Sequence, residues 1–126
     1  MGTPYWRRGR GLLELPVQVT RGARLPFIGT TATLWGTRVA RSLARMCVGE
    51  PLVNLELHGI DVLDAADGLE ALRAHQVDVR VATDQKLAGL RAAVEVLRAA
   101  GYSFVTLREA AATVSASLLD PAADPA

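Results

Sequence analysis

The sequence predicts an α/β fold in which parallel strands alternate with helices, and three observations carry that expectation. Residues 12–19 and 53–58 alternate apolar and polar side chains with a period of two, the apolar ones at odd positions in both. Between and after them, apolar residues recur three and four positions apart, the spacing of one helix face. A third short apolar run, residues 102–107, follows the clearest of those helical stretches, and strands separated by helices argue for parallel pairing.

Taken in order, residues 1–11 mix glycines and a proline with charged residues and read as an irregular lead-in. In residues 12–19, Leu13, Leu15, Val17 and Val19 face one way and Glu14, Pro16 and Gln18 the other. Pro16 removes a ladder donor, so this strand belongs at an edge or carries a bulge. Residues 20–36 contain Gly22, Pro26, Gly29 and Gly36 and read mainly as loop. Thr37 can cap a helix ending near Val48, with Val39, Leu43 and Met46 as its apolar stripe and Arg38, Arg41 and Arg45 as a basic one. Gly49 and Pro51 stop it.

Residues 51–64, PLVNLELHGIDVLD, form a strand that ends at His58 and an acidic loop. Its alternation turns Val53, Leu55 and Leu57 to one face and Asn54, Glu56 and His58 to the other. Asp67 or Gly68 starts a short helix through about His75, with Leu69 and Leu72 inward, and residues 77–82 are extended or loop. Thr83 or Asp84 then caps a helix with Leu87, Leu90, Val94 and Leu97 on one face. Gly89 inside it costs about 1 kcal/mol relative to Ala, too little to break it. Gly101 stands where a left-handed C′ residue belongs. The strand at 102–107, an Ala-rich helix from Arg108 to about Leu118 and a tail, residues 119–126, expected to be disordered complete the chain.

A chain of 126 residues forms one domain, and with 50% hydrophobic but 5% aromatic residues its core must be built of Leu, Val and Ala. No apolar run approaches the roughly 20 residues that span a bilayer, and the basic start leads into a strand-like run rather than a signal-peptide core, so a cytoplasmic location is the default. The single Cys47 excludes an internal disulfide and a cysteine zinc cluster, and reads as a small buried hydrophobe. The net charge of +1 hides a split: Arg7, Arg8, Arg10, Arg21, Arg24, Arg38, Arg41 and Arg45 precede Glu50 and face only Glu14. That basic half is either a solvated surface or the footprint of an anionic partner.

Catalytic groups of parallel α/β folds collect at the carboxyl ends of strands, where His58 lies, and a histidine there can serve as general acid or base with Glu56 or Asp61 tuning it. His58, Asp61 and Asp64 also offer metal-type ligands at three-residue spacing, a spacing that fixes no geometry in a loop. His75 reads as a surface or cap histidine. There is no Gly-rich phosphate loop after a strand and no G-x-S-x-G elbow, and arginines without interleaved aromatics argue against nucleic acid.

The segments GLLELPVQVT, LVNLELHGID and KLAGLRAAVEVLRAAGYSFVTLREAAA together resemble the C-terminal half of the polysaccharide deacetylases, the NodB-homology family, over roughly Arg10 to Ala112. The resemblance implies a partial, distorted (β/α) barrel across residues 12–118 and hydrolysis of an N-acyl amide on a sugar with a divalent metal, usually zinc. It makes His58 the general acid that protonates the leaving amine, with Glu56 and Asp61 tuning it and Glu14 a polar group near the substrate. The family's metal triad, an Asp and two His in an H-x-x-x-H pattern, and its aspartate base have no counterpart among these residues, so the chain alone is expected to bind no metal and to be inactive. Glu56 stands where the family usually has a Leu lining the acyl pocket, a departure that resembles members acting on lipid-linked aminosugars, whose corresponding strand is also atypical. A truncated product or fragment that self-associates, or needs a missing N-terminal half, follows from that resemblance. The alternative is a small non-enzymatic module that holds an anionic partner through its Arg-rich first half.

Overall fold

The computed structural model describes residues 6–8 and 12–119, which divide between two compact units, Val17–Tyr102 and the residues that flank it. The larger unit is helical. Its first helix, α1 (Gly29–Leu34), is short and half Thr, with Gly at its start, residues of poor intrinsic helix propensity, and is held by its surroundings. The Thr31 hydroxyl accepts from the Ile28 N–H (3.1 Å) and donates to the Pro26 carbonyl (2.9 Å), while Ala32 and Thr33 are fully buried. Gly36, at φ 77°, turns the chain after Trp35 and opens α2 (Gly36–Cys47). The long α3 (Thr83–Ala99) packs against both.

The core of this unit sets Phe27, its largest fully buried side chain, among small and aliphatic residues, Ala32, Ala40, Leu43, Ala44, Cys47, Ala93 and Leu97, with Val53, Leu55, Leu90 and Val96 packed against it. Burial pushes the Cys47 thiol up to about 11, which keeps it an inert core group. The Tyr102 hydroxyl donates to the Glu50 carbonyl (2.6 Å) and accepts from the Gly49 N–H (3.0 Å), tying the end of α3 to the exit from α2. Gly101 at φ 89° ends α3, with the Tyr102 N–H reaching back to the Leu97 carbonyl (3.1 Å), as the sequence predicts.

Among the described residues of the smaller unit are β1 (Trp6–Arg8) and β2 (Leu12–Glu14), an antiparallel hairpin in the register Trp6↔Glu14, Arg7↔Leu13, Arg8↔Leu12. It also contains α4 (Leu107–Leu119), on which Ala110 and Val114 are buried. Thr106 caps α4: Glu109 accepts from its N–H (2.7 Å) and hydroxyl (2.8 Å), and the Glu109 N–H donates back to that hydroxyl (3.2 Å). Those bonds hold the Glu109 carboxyl below its ordinary value.

These elements overturn the α/β expectation and, with it, the partial (β/α) barrel. Among the described residues the only sheet is the β1–β2 hairpin: of the strands predicted, only Leu12–Glu14, the start of the run at 12–19, is one, and it pairs antiparallel. Residues 17–20 and 52–58 form no strand: single bonds such as Gln18 N–H to the Asn54 carbonyl (3.2 Å) and Gly29 N–H to the Glu56 carbonyl (2.8 Å), and an isolated antiparallel bridge between Val19 and Pro26, stand where a ladder would be. Alternation records which side chains face a hydrophobic layer. It does not supply the second backbone that makes a strand. Here helices meet that need, with Val53 and Leu55 laid against the helical core. The alternation also breaks down at Leu57, which is half exposed.

Other expectations shift in the same way. The lead-in contains β1, the loop at 20–36 contains α1, and the short helix expected at 67–75 is a run of tight 3-10 turns. Residues 120–126, in the tail expected to be disordered, lie outside the described residues.

Candidate functional site

The site is built on the long irregular connection between α2 and α3, where 3-10 turns stand at Gly59–Val62, Ala65–Asp67, Glu70–Leu72 and Asp78–Arg80. His58 is the extended residue that opens the first of these turns. Asp61, three residues on, folds its carboxylate back to accept the His58 backbone N–H at 2.7 Å, and its own N–H donates to the His58 carbonyl at 3.0 Å. The reciprocal pair fixes the backbone that carries the imidazole.

Two helices secure this turn from opposite ends of its sequence. From α1, the Thr30 hydroxyl donates to Asp61 Oδ1 (3.3 Å), and the Gly29 N–H takes the Glu56 carbonyl. Asp61 is fully buried there, and a Cβ on Gly29 would lie 1.9 Å from Asp61 Oδ2, so only glycine leaves room for the carboxylate. From α3, the fully buried Lys86 donates through Nζ to the Ile60 carbonyl (2.7 Å) and to the Leu63 carbonyl. The Thr83 N–H donates to Asp64 Oδ2 (2.7 Å) and the Ala66 N–H to Asp64 Oδ1 (2.8 Å). Those two backbone donors hold the Asp64 carboxyl below its ordinary range.

The imidazole itself is 59% exposed, with Nδ1 3.8 Å from Asp61 Oδ2 and Nε2 3.8 Å from Glu56 Oε1. Of the residues singled out from sequence, the structure therefore brings Glu56, His58 and Asp61 together. Glu14 belongs to β2 in the smaller unit, and Asp64 is turned to the start of α3. His75 is an exposed turn residue whose N–H bonds the Leu72 carbonyl (2.9 Å), the surface role expected of it. Chemically, the arrangement presents one solvent-facing proton carrier between two carboxylates, one buried and one exposed.

It does not present a metal centre. Among the described residues no three His, Cys, Asp or Glu side chains form a group that could hold a metal ion. Asp61, the best-placed carboxylate, is already committed to the Thr30 hydroxyl and the His58 N–H. The divalent ion implied by the family resemblance does not fit this donor set.

Gly29, Thr30, Thr83 and Lys86 were not foreseen as site residues. Lys86 carries a legible signal, because it lies on the same helical stripe as the buried Gly89, Ala93 and Leu97, where a lysine is out of place without a partner. The basic first half divides: Arg38 and Arg45 are exposed on α2, Arg41 pairs with Glu95 (3.3 Å) and Arg21 with Glu50 (3.6 Å). The side chains of Arg7, Arg8 and Arg10 lie outside the described residues. No described helix is long and apolar enough to cross a membrane. In comparisons with known proteins, no family model matches the chain, nor does any curated protein or solved structure.

Proposed function

We propose that this chain supplies the proton-transfer portion of a carbohydrate deacetylase, an enzyme that hydrolyses an N-acyl amide on a sugar, with His58 as the general acid for the departing amine. The observation that supports this reading is the exposed His58 imidazole set between Glu56 and buried Asp61 on a turn secured from two helices. A general acid must reach its substrate and hold a direction while it does so. Exposure serves the first requirement, and the reciprocal Asp61 bonds serve the second by fixing the backbone from which the ring projects. Glu56, half exposed beside the ring, gives the site a polar wall suited to an aminosugar carrying a polar or lipid-linked group. The zinc or other divalent ion of such enzymes would take its ligands from groups other than Glu56, His58 and Asp61, and where those groups are lacking no turnover is expected.

The test is acetate release from an N-acetylated chitooligosaccharide by the longest polypeptide encoded in frame with this chain, in the presence of zinc. His58→Ala is expected to lower turnover about 10²–10⁴-fold, the contribution of a positioned acid, and a loss smaller than about tenfold would remove His58 from the role.

A second reading, a non-enzymatic module that binds an anionic partner, draws on the exposure of Arg38 and Arg45, about two turns apart on α2. Salt-sensitive binding of the chain to anionic vesicles, abolished in the double Arg38→Ala, Arg45→Ala variant, would favour it over the enzyme.

A further inference from the structure

We propose that Lys86 is a positioning residue for His58, acting through the turn Gly59–Val62. As a statement about catalysis this rests on the reading of His58 as the acid. As a statement about the loop it stands on the hydrogen bonds themselves.

A fully buried ammonium is expensive to desolvate, and an aliphatic side chain would fill the same space at lower cost. Lys86 instead sends Nζ to two carbonyls, Ile60 and Leu63, which bracket Asp61 and Val62. Carbonyls at the end of a short 3-10 turn have no partner within the turn, and burial leaves such groups unsatisfied unless another element donates to them. Lys86 is that donor. Its neighbour one turn earlier, Thr83, adds a longer contact from its hydroxyl to the Val62 carbonyl (3.5 Å) and takes Asp64 on its N–H.

The consequence passes along three links. The ammonium fixes the carbonyls on either side of Asp61. The Asp61 carboxylate, so placed, accepts the His58 N–H at 2.7 Å and lies 3.8 Å from Nδ1. The imidazole thereby keeps its place between Asp61 and Glu56 while remaining open to solvent. Without the ammonium, the Ile60 and Leu63 carbonyls lose their donor, and the turn is held only by Thr30 from α1 and, at its far end, by the Thr83 bonds to Asp64 and Val62.

The experiment is hydrogen exchange of the full chain read by mass spectrometry, at the backbone amides of the peptide spanning residues 57–64 and at the imidazole C2 positions of both histidines. His75, an exposed turn residue, is the internal reference. In Lys86→Met, the amides of the 57–64 peptide are expected to exchange about tenfold faster or more, with α2 unchanged and with the His58 ring, but not the His75 ring, altered. Lys86→Gln retains side-chain donors and is expected to restore protection to within about threefold of the parent. Leu97→Ala, in the core on the same helix, loosens α2 and α3 without singling out the turn. Unchanged exchange at His58, or acceleration spread evenly over the chain, overturns the proposal. So does loss of the fold in both Lys86 variants, because Lys86 would then support the whole core rather than this turn. In the turnover assay Lys86→Met is expected to lower kcat while leaving KM within about twofold. Failure of the functional reading shows elsewhere, as retained activity in His58→Ala, and leaves the exchange result standing.

Discussion

Gly29 and Asp61 show how tightly one residue can condition another far along the chain. The carboxylate occupies the volume that any larger residue at position 29 would need, since a Cβ there meets Oδ2 at 1.9 Å. Gly29→Ala must therefore expel Asp61, strand the His58 N–H and loosen the first turn of α1. Overpacking of this kind destabilises by about 1–3 kcal/mol, so the denaturant midpoint is expected to fall, with the His58 turn affected most. An unchanged midpoint would mean that the carboxylate has another place to go. Glu56, His58 and Asp61 were legible as a group because they lie within six positions on a polar face and its following turn. Gly29, Thr30 and Lys86 were not, because they come from helices whose approach to that turn is a tertiary event with no local signature.

At the scale of elements, α2, α3 and α4 were legible to within a residue or two. The stop signals, such as Gly101 after α3, are local properties of the sequence, but the faces and N-caps are not: Val39 is exposed while Ala40, Leu43, Ala44 and Cys47 are buried on α2, the buried face of α3 is Lys86, Gly89, Ala92, Ala93 and Leu97, and neither Thr37 nor Thr83 caps its helix. The six residues of α1 were missed because they span fewer than two turns and are helical through burial of Ala32 and Thr33 rather than through propensity. The parallel strands were misread because period-two alternation in residues 52–58 serves a helical layer here. Gly89 is the instructive case within an element. Read as a tolerated flaw in α3, it is the point at which that helix meets α1, since a Cβ would lie 2.4 Å from the Ala32 carbonyl oxygen. Gly89→Ala gains about 1 kcal/mol in helix propensity but forces the two backbones apart. A net loss of about 1–2 kcal/mol in unfolding free energy is expected, and a net gain would show that α1 and α3 can separate freely.

For the molecule as a whole, the larger unit leaves several large apolar side chains in water. Trp35 is 67% exposed and Leu57 50%, with Leu63, Leu72 and Val77 also exposed along the connection that carries His58. Surface of that kind favours association. Size-exclusion chromatography with light scattering is expected to find the chain as a dimer or larger species, with the monomer fraction rising in Leu57→Ser. A monodisperse monomer at micromolar concentration would count against this. Of the Leu, Val and Ala that composition assigns to the core, Leu and Ala form most of the buried cluster, but the largest side chain in it is Phe27, and composition could not foretell that the core would be assembled from helices.

The Tyr102 hydroxyl reaches back from the end of α3 to Gly49 and Glu50, and Thr83 and Lys86 hold the connection near the start of the same helix. The consequence is one of order in opening. The turn bearing His58 rests on side-chain bonds to α1 and α3 rather than on a backbone ladder, and it is therefore expected to be among the first parts of the unit to open when the protein is stressed.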